Sequence, residues 1–152
     1  MRTSSSVFAT LFLTVFFVAC SGGDSPTEPG GNNNGGNTGG TTGPTVKADP
    51  SFASDIWEAL GRNGCTASGC HGTGQGGLTL ASTAGAYGNL VNIASPTTGE
   101  IRVIPGNASD SYLVKKLEGR QSAGVRMPVG GQLDATDLTN IKNWINQGAK
   151  NN

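Results

Sequence analysis

Between Ser21 and Ala48 the chain consists almost entirely of Gly, Asn, Thr, Ser and Pro, and Val46 is the one aliphatic side chain there larger than alanine. A segment so poor in apolar surface cannot offset the entropy of ordering its backbone, so it reads as a flexible tether with a root-mean-square reach of about 30 Å. Folding is thereby confined to residues 49–152, a single small domain of about 100 residues. With 25 glycines and only 35% apolar residues in the whole chain, such a domain has little side-chain material for a core. It calls for a supplement: disulfides, a metal or a large apolar cofactor. The formal net charge is zero and charged residues make up 13% of the chain, which leaves no basic surface for nucleic acid and only weak long-range steering toward any partner.

Within the domain the apolar spacing is helical. Asp49-Pro50 can start a helix whose inner face carries Phe52, Ile56 and Leu60, with Trp57 beside them and Gly61 and Gly64 as stops. Residues 84–91 suggest a short second helix. Ile101 and Val103 alternate ahead of a Pro105-Gly106 turn. Asn107 is placed to cap a helix bearing Tyr112, Leu113 and Leu117 that ends at Gly119. The last helix is announced by an Asp134 cap, Asp137 in the capping-box position and a Leu133/Leu138 staple; its inner face is Leu138, Ile141, Trp144 and Ile145, and Gly148 stops it. The expected fold class is all-α.

The chemistry-bearing stretch is Cys65-Thr66-Ala67-Ser68-Gly69-Cys70-His71, directly after the first helix, and it holds the only histidine of the chain. In c-type haem attachment two thiols add to the haem vinyl groups, and a histidine next to the second cysteine lies under the iron as axial ligand. The usual spacing has two residues between the cysteines; here there are four. Met127, the only methionine outside the N-terminal segment, offers a soft thioether for the other axial position.

The N-terminus reads as a signal peptide over residues 1–19: Arg2, then an apolar run from Val7 to Ala19 that spans about 20 Å as a helix, short of a bilayer core of about 30 Å. Phe17-Val18-Ala19-Cys20 resembles the lipobox of bacterial lipoproteins, with Phe17 where that motif usually has Leu. The resemblance implies lipidation of Cys20, residues 20–48 as a lipid-anchored linker, and a domain in the cell envelope facing the periplasm or the cell exterior.

Residues 49–149 resemble the class I cytochrome c family. In that family a first helix leads into the haem motif, a later loop presents methionine followed by proline, and a last helix carries an aromatic residue. Here the matching features are Phe52 to Leu60, Cys65 to His71, Met127-Pro128, and Leu138 to Ile145, in the same order. Gly76-Gly77-Leu78-Thr79-Leu80, Val103-Ile104-Pro105-Gly106 and the segment from Trp144 to Ala149 look like a variant found in extracytoplasmic bacterial cytochrome domains. The resemblance implies one haem c held by Cys65 and Cys70 with His71 and Met127 as axial ligands. It implies an electron carrier rather than an enzyme, exchanging electrons with redox partner proteins. A large apolar cofactor would also supply the missing core, covered by Phe52, Trp57, Leu78, Leu80, Tyr87, Leu113 and Trp144. Arg102, Arg126 and Trp144 are candidate donors to its propionates, and the sequence does not choose among them.

Two other chemistries use the same residues. A Cys65–Cys70 disulfide would make the chain a surface lipoprotein acting as a binding or structural module without haem. A zinc site would have two cysteines and one histidine, one ligand short of a structural set. The four-residue spacing disfavours a thiol oxidoreductase, and the lone histidine leaves no hydrolase triad to argue.

Overall fold

The computed structural model describes residues 43–152. The signal peptide, the lipidation site Cys20 and most of the linker lie outside the described residues. Among those described, the chain is all-α. A π-helical turn, Phe52–Ile56, runs on into α1 (Trp57–Arg62); two 3-10 turns follow at His71–Thr73 and Gln75–Gly77; then come α2 (Thr83–Leu90), α3 (Tyr112–Glu118) and α4 (Ala135–Asn146). The alternation at Ile101 and Val103 yields only isolated bridges, Ala94 with Ile101 and Val91 with Val103. No described helix is long and apolar enough to cross a membrane.

The first helix begins at Phe52, two residues later than Pro50 suggested, because its free N–H groups are met from two directions. Asp55 accepts from the Ser51 backbone N–H at 2.8 Å. Asn152, from the far end of the chain, accepts from the Phe52 N–H through its side chain and from the Ala53 N–H through its backbone, both at 2.9 Å. Four orphan N–H groups open any helix, so this tie between the first helix and Asn152 contributes stability as well as topology.

Phe52, Ile56 and Leu60 are buried as the spacing of four predicted, and they pack with Ile141, Trp144 and Ile145 of α4. Phe52 lies 5.1 Å from the Trp144 ring and meets Tyr87 of α2 edge-on at 5.2 Å, so one aromatic cluster joins three helices. Trp144 donates its indole N–H to the Lys150 carbonyl and Tyr87 its hydroxyl to the Ala149 carbonyl, which satisfies both polar ends.

Two expected caps differ. Asn107 caps a turn, accepting from Ser109 and from the Asp110 N–H; α3 starts only at Tyr112, after Ser111, whose side chain makes no capping bond. Asp134 does cap α4, accepting from the Thr136 and Asp137 N–H groups, but the Asp137 side chain does not turn back to complete a box. It is buried and accepts from Arg62 at 2.6 Å and Asn63 at 2.8 Å, an ion pair that locks the end of α1 to the start of α4. A charged donor reaching it from across the fold displaced the local bond. At the other end α4 closes as expected: Gly148, at φ +98°, directs its own N–H to Ile145 and the Ala149 N–H to Trp144, a Schellman motif that needs a left-handed residue there.

The described end of the segment read as tether lies along α4. Asn140 accepts from the Lys47 N–H at 2.8 Å and donates to the Thr45 carbonyl at 2.9 Å, while Asn143 donates to the Lys47 carbonyl at 2.6 Å. Side-chain amides on the helix satisfy this backbone without apolar side chains, which explains why composition did not reveal it.

Candidate functional site

A cavity of about 470 Å³ opens between the turn that follows α1 and the loop joining α3 to α4. Cys65, Cys70 and His71 line it from the first of these segments, Met127, Pro128 and Val129 from the second. All four residues singled out for haem binding therefore border one space, although 56 residues separate His71 from Met127. The volume falls within the range of about 300–1,000 Å³ common for cofactor pockets.

The turn accommodates its two additional residues by local bonding. The Cys65 N–H donates to Leu60 and the Gly64 N–H to Gly61, a closure that ends α1 with Gly64 at φ +72°, and the His71 N–H returns to the Cys65 carbonyl at 3.0 Å, closing the loop at its base. Inside it the Ala67 carbonyl accepts from both Cys70 and Gly72, and Thr73 reaches the Ser68 carbonyl at 2.6 Å. Gly72 is required because a Cβ there would overlap the Thr66 carbonyl oxygen and come within 2.9 Å of that of Ala67. The six-residue interval from Cys65 to His71 is thus spanned by compact backbone.

His71 has its Nδ1 2.8 Å from the Gln75 carbonyl and 3.2 Å from that of Leu78. Both neighbours are acceptors only, so Nδ1 donates to them, and in the neutral form of the ring the lone pair is on Nε2. That is the state in which a histidine ligates a metal. Neither carbonyl partner has a side-chain signature, and sequence reasoning missed both.

Cys65 is a free thiol, so the Cys65–Cys70 bridge is not formed, and Cys70 is itself engaged in a disulfide. Burial pushes its pKa up to about 11, a shift partly opposed by a backbone hydrogen bond. A thiol this reluctant to ionise is a poor attacking thiolate, which agrees with the spacing argument against a thiol oxidoreductase. No three His, Cys, Asp or Glu side chains among the described residues are grouped to hold a metal ion by themselves, so the zinc arrangement is not assembled.

Met127 is half-buried and packs against the core; its N–H donates to the Lys116 carbonyl at 2.9 Å, and Pro128 follows across a cis peptide bond. Lys116 holds the same loop a second time, its ammonium donating to the carbonyls of Ala123 at 3.3 Å and Val125 at 2.6 Å.

The walls are mainly apolar, and Leu78, Leu80 and Leu113 line them as expected. Phe52, Trp57, Tyr87 and Trp144 do not: they belong to or pack against the core behind the cavity, because the aromatic cluster is used to join the helices. Of the candidate propionate donors, Trp144 and Arg126 are not among the lining residues: Trp144 donates to the Lys150 carbonyl and Arg126 to that of Leu117. Arg102 is on the wall and buried, where an arginine read from sequence alone is expected in solvent. The lining includes the cations Arg102 and Lys116 and no Asp or Glu.

No family model, curated protein or solved structure matches this chain.

Proposed function

We propose that this chain is an extracytoplasmic electron carrier that holds one covalently attached haem c in this cavity, in a class I cytochrome c-like domain anchored to a membrane through lipid on Cys20. The observation that carries the reading is the convergence of Cys65, Cys70, His71 and Met127, drawn from two distant loops, on the wall of one apolar cavity. The lining fits the group chemically. A macrocycle that is apolar over its faces and bears two carboxylates suits a space walled by leucines, with two cations and no competing carboxylate.

In this reading Cys65 and Cys70 would hold the haem as thioethers in the reduced chain, in which Cys70 is released from its disulfide, and His71 through Nε2 and Met127 through sulfur would ligate the iron. A bound haem would supply a one-electron ferrous/ferric couple, with methionine ligation raising its potential. The chain's own residues keep a proton on His71 Nδ1, clamp the Met127 loop to α3 and wall the cavity with leucines. The proposed role is electron delivery between redox partner proteins rather than bond-making chemistry. The lipid anchor on Cys20 would supply effective concentration at the membrane where net charge does not steer.

The test is the full chain produced in a periplasm equipped for haem attachment. A c-type reduced-minus-oxidised spectrum, haem that survives denaturing electrophoresis, and a methionine-to-iron charge-transfer band lost in Met127→Ala are the expected results. A colourless protein would overturn the proposal.

A further inference from the structure

We propose that Arg102 is the positioning residue of His71, fixing the loop whose carbonyls hold the proton on Nδ1. Arg102 lies 31 residues from the histidine in sequence and is 7% exposed. None of the ion pairs among the described residues includes it. A buried guanidinium without a carboxylate is costly unless its N–H groups are used, and here the planar fork spans two backbone carbonyls, Asn89 at 2.8 Å and Gly77 at 2.6 Å.

Gly77 sits between Gln75 and Leu78, the two residues whose carbonyls receive the His71 Nδ1 proton. The base of the arginine is itself fixed on both sides, its N–H donating to the Ile93 carbonyl and its carbonyl accepting from the Leu113 N–H at the start of α3. Rigidity therefore passes from α3 through Arg102 to Gly77 and on to the imidazole. Burial also lowers the pKa of the guanidinium, as expected for a cation retained in the wall for its hydrogen bonds.

The consequence for an iron ligand rests on the haem reading; the constraint on the ring does not. Because the chain has one histidine, its ring signals are unambiguous. The full chain, labelled with ¹⁵N-histidine and purified from the haem-attaching periplasm, is measured at one pH after reduction, so that any haem iron is diamagnetic. The wild type is expected to carry its ring proton on Nδ1 with slow solvent exchange. Arg102→Met is expected to speed that exchange by about ten-fold, the order expected from losing the net contribution of one charge-assisted hydrogen bond, while amide exchange in α4 stays unchanged. Arg102→Lys keeps the charge but can grip one carbonyl at a time, and should fall between them. A wild-type ring protonated only on Nε2 while lacking haem, or a folded Arg102→Met with the wild-type rate, overturns the proposal. If Arg102→Met does not fold, an unchanged rate in Arg102→Lys overturns it. A protein that purifies without haem but shows the arginine-dependent Nδ1 proton would refute the haem reading alone.

Discussion

Asp137 accepts from Arg62 and Asn63, and Asn63 stands two residues ahead of Cys65 on the cavity wall, so this carboxylate ties α4 to the edge of the site. The two ways of breaking the pair should differ in cost. The Asp137 side chain is 3% exposed and that of Arg62 is 45% exposed. Asp137→Asn leaves a guanidinium that can return to water, so the loss is that of weakened charge-assisted hydrogen bonds, about 2 kcal/mol. Arg62→Met instead strands a buried carboxylate with only the Asn63 amide as side-chain donor, and breaking a buried pair in that way costs about 3–5 kcal/mol. For a domain of this size a loss of about 2 kcal/mol lowers Tm by roughly 8–16 °C. Urea unfolding followed by far-ultraviolet circular dichroism, with linear extrapolation, measures both. A cost for Arg62→Met smaller than that for Asp137→Asn, or both below about 0.5 kcal/mol, would refute the account of Asp137 as a buried charge held by its partners.

In haem-free protein the Cys65 thiol, with its pKa at about 11 against an ordinary 9.0, should alkylate about a hundred-fold more slowly at pH 8 than an exposed thiol, as located by peptide mass spectrometry. The same shift has a linkage sign. Below about pH 9 the thiol is neutral in both states, and from there to about 11 only the unfolded chain ionises, so stability should decline over that window and Cys65→Ala should flatten the decline. Glu118 is held below the usual carboxylate range by its hydrogen bond to Lys142 and, less strongly, by Arg120. Its stabilising contribution is therefore present above that range and lost as pH falls through its depressed value, and Glu118→Gln should remove part of the acid limb of a Tm-versus-pH profile. Gly72→Ala forces the Thr66–Ala67 carbonyls away from the turn, and a drop of several-fold in haem incorporation per folded protein, read by haem stain against circular dichroism, is the expected outcome.

Local information was enough where the physics is local. The spacing of Phe52, Ile56 and Leu60 placed one buried face, Asp134 and Gly148 marked both ends of α4, and Cys70-His71 with Met127-Pro128 named residues that prove to share a cavity. Signals of this kind depend on side chains a few residues apart, and the chain carries them whatever its tertiary arrangement. The aromatic side chains misled in one respect. Their apolarity showed that they would be buried, but not whether they would face a cavity or one another, since burial alone has no direction.

What the sequence determined by itself, then, is which segments are helical and where α4 starts and stops, which apolar side chains avoid water, and which atoms could hold a metal. Only the tertiary structure decided which charges are buried and what they hold. Asp137 serves Arg62 and Asn63 instead of its own helix end, Arg102 grips Gly77 and Asn89 from inside the wall, Asn140 and Asn143 bind the end of a low-complexity segment, and Asn152 caps the first helix. Most of these bonds end on backbone carbonyls or N–H groups, which every residue possesses alike. A partner that carries no side-chain identity leaves no mark in a sequence, and its place is known only once the chain has folded.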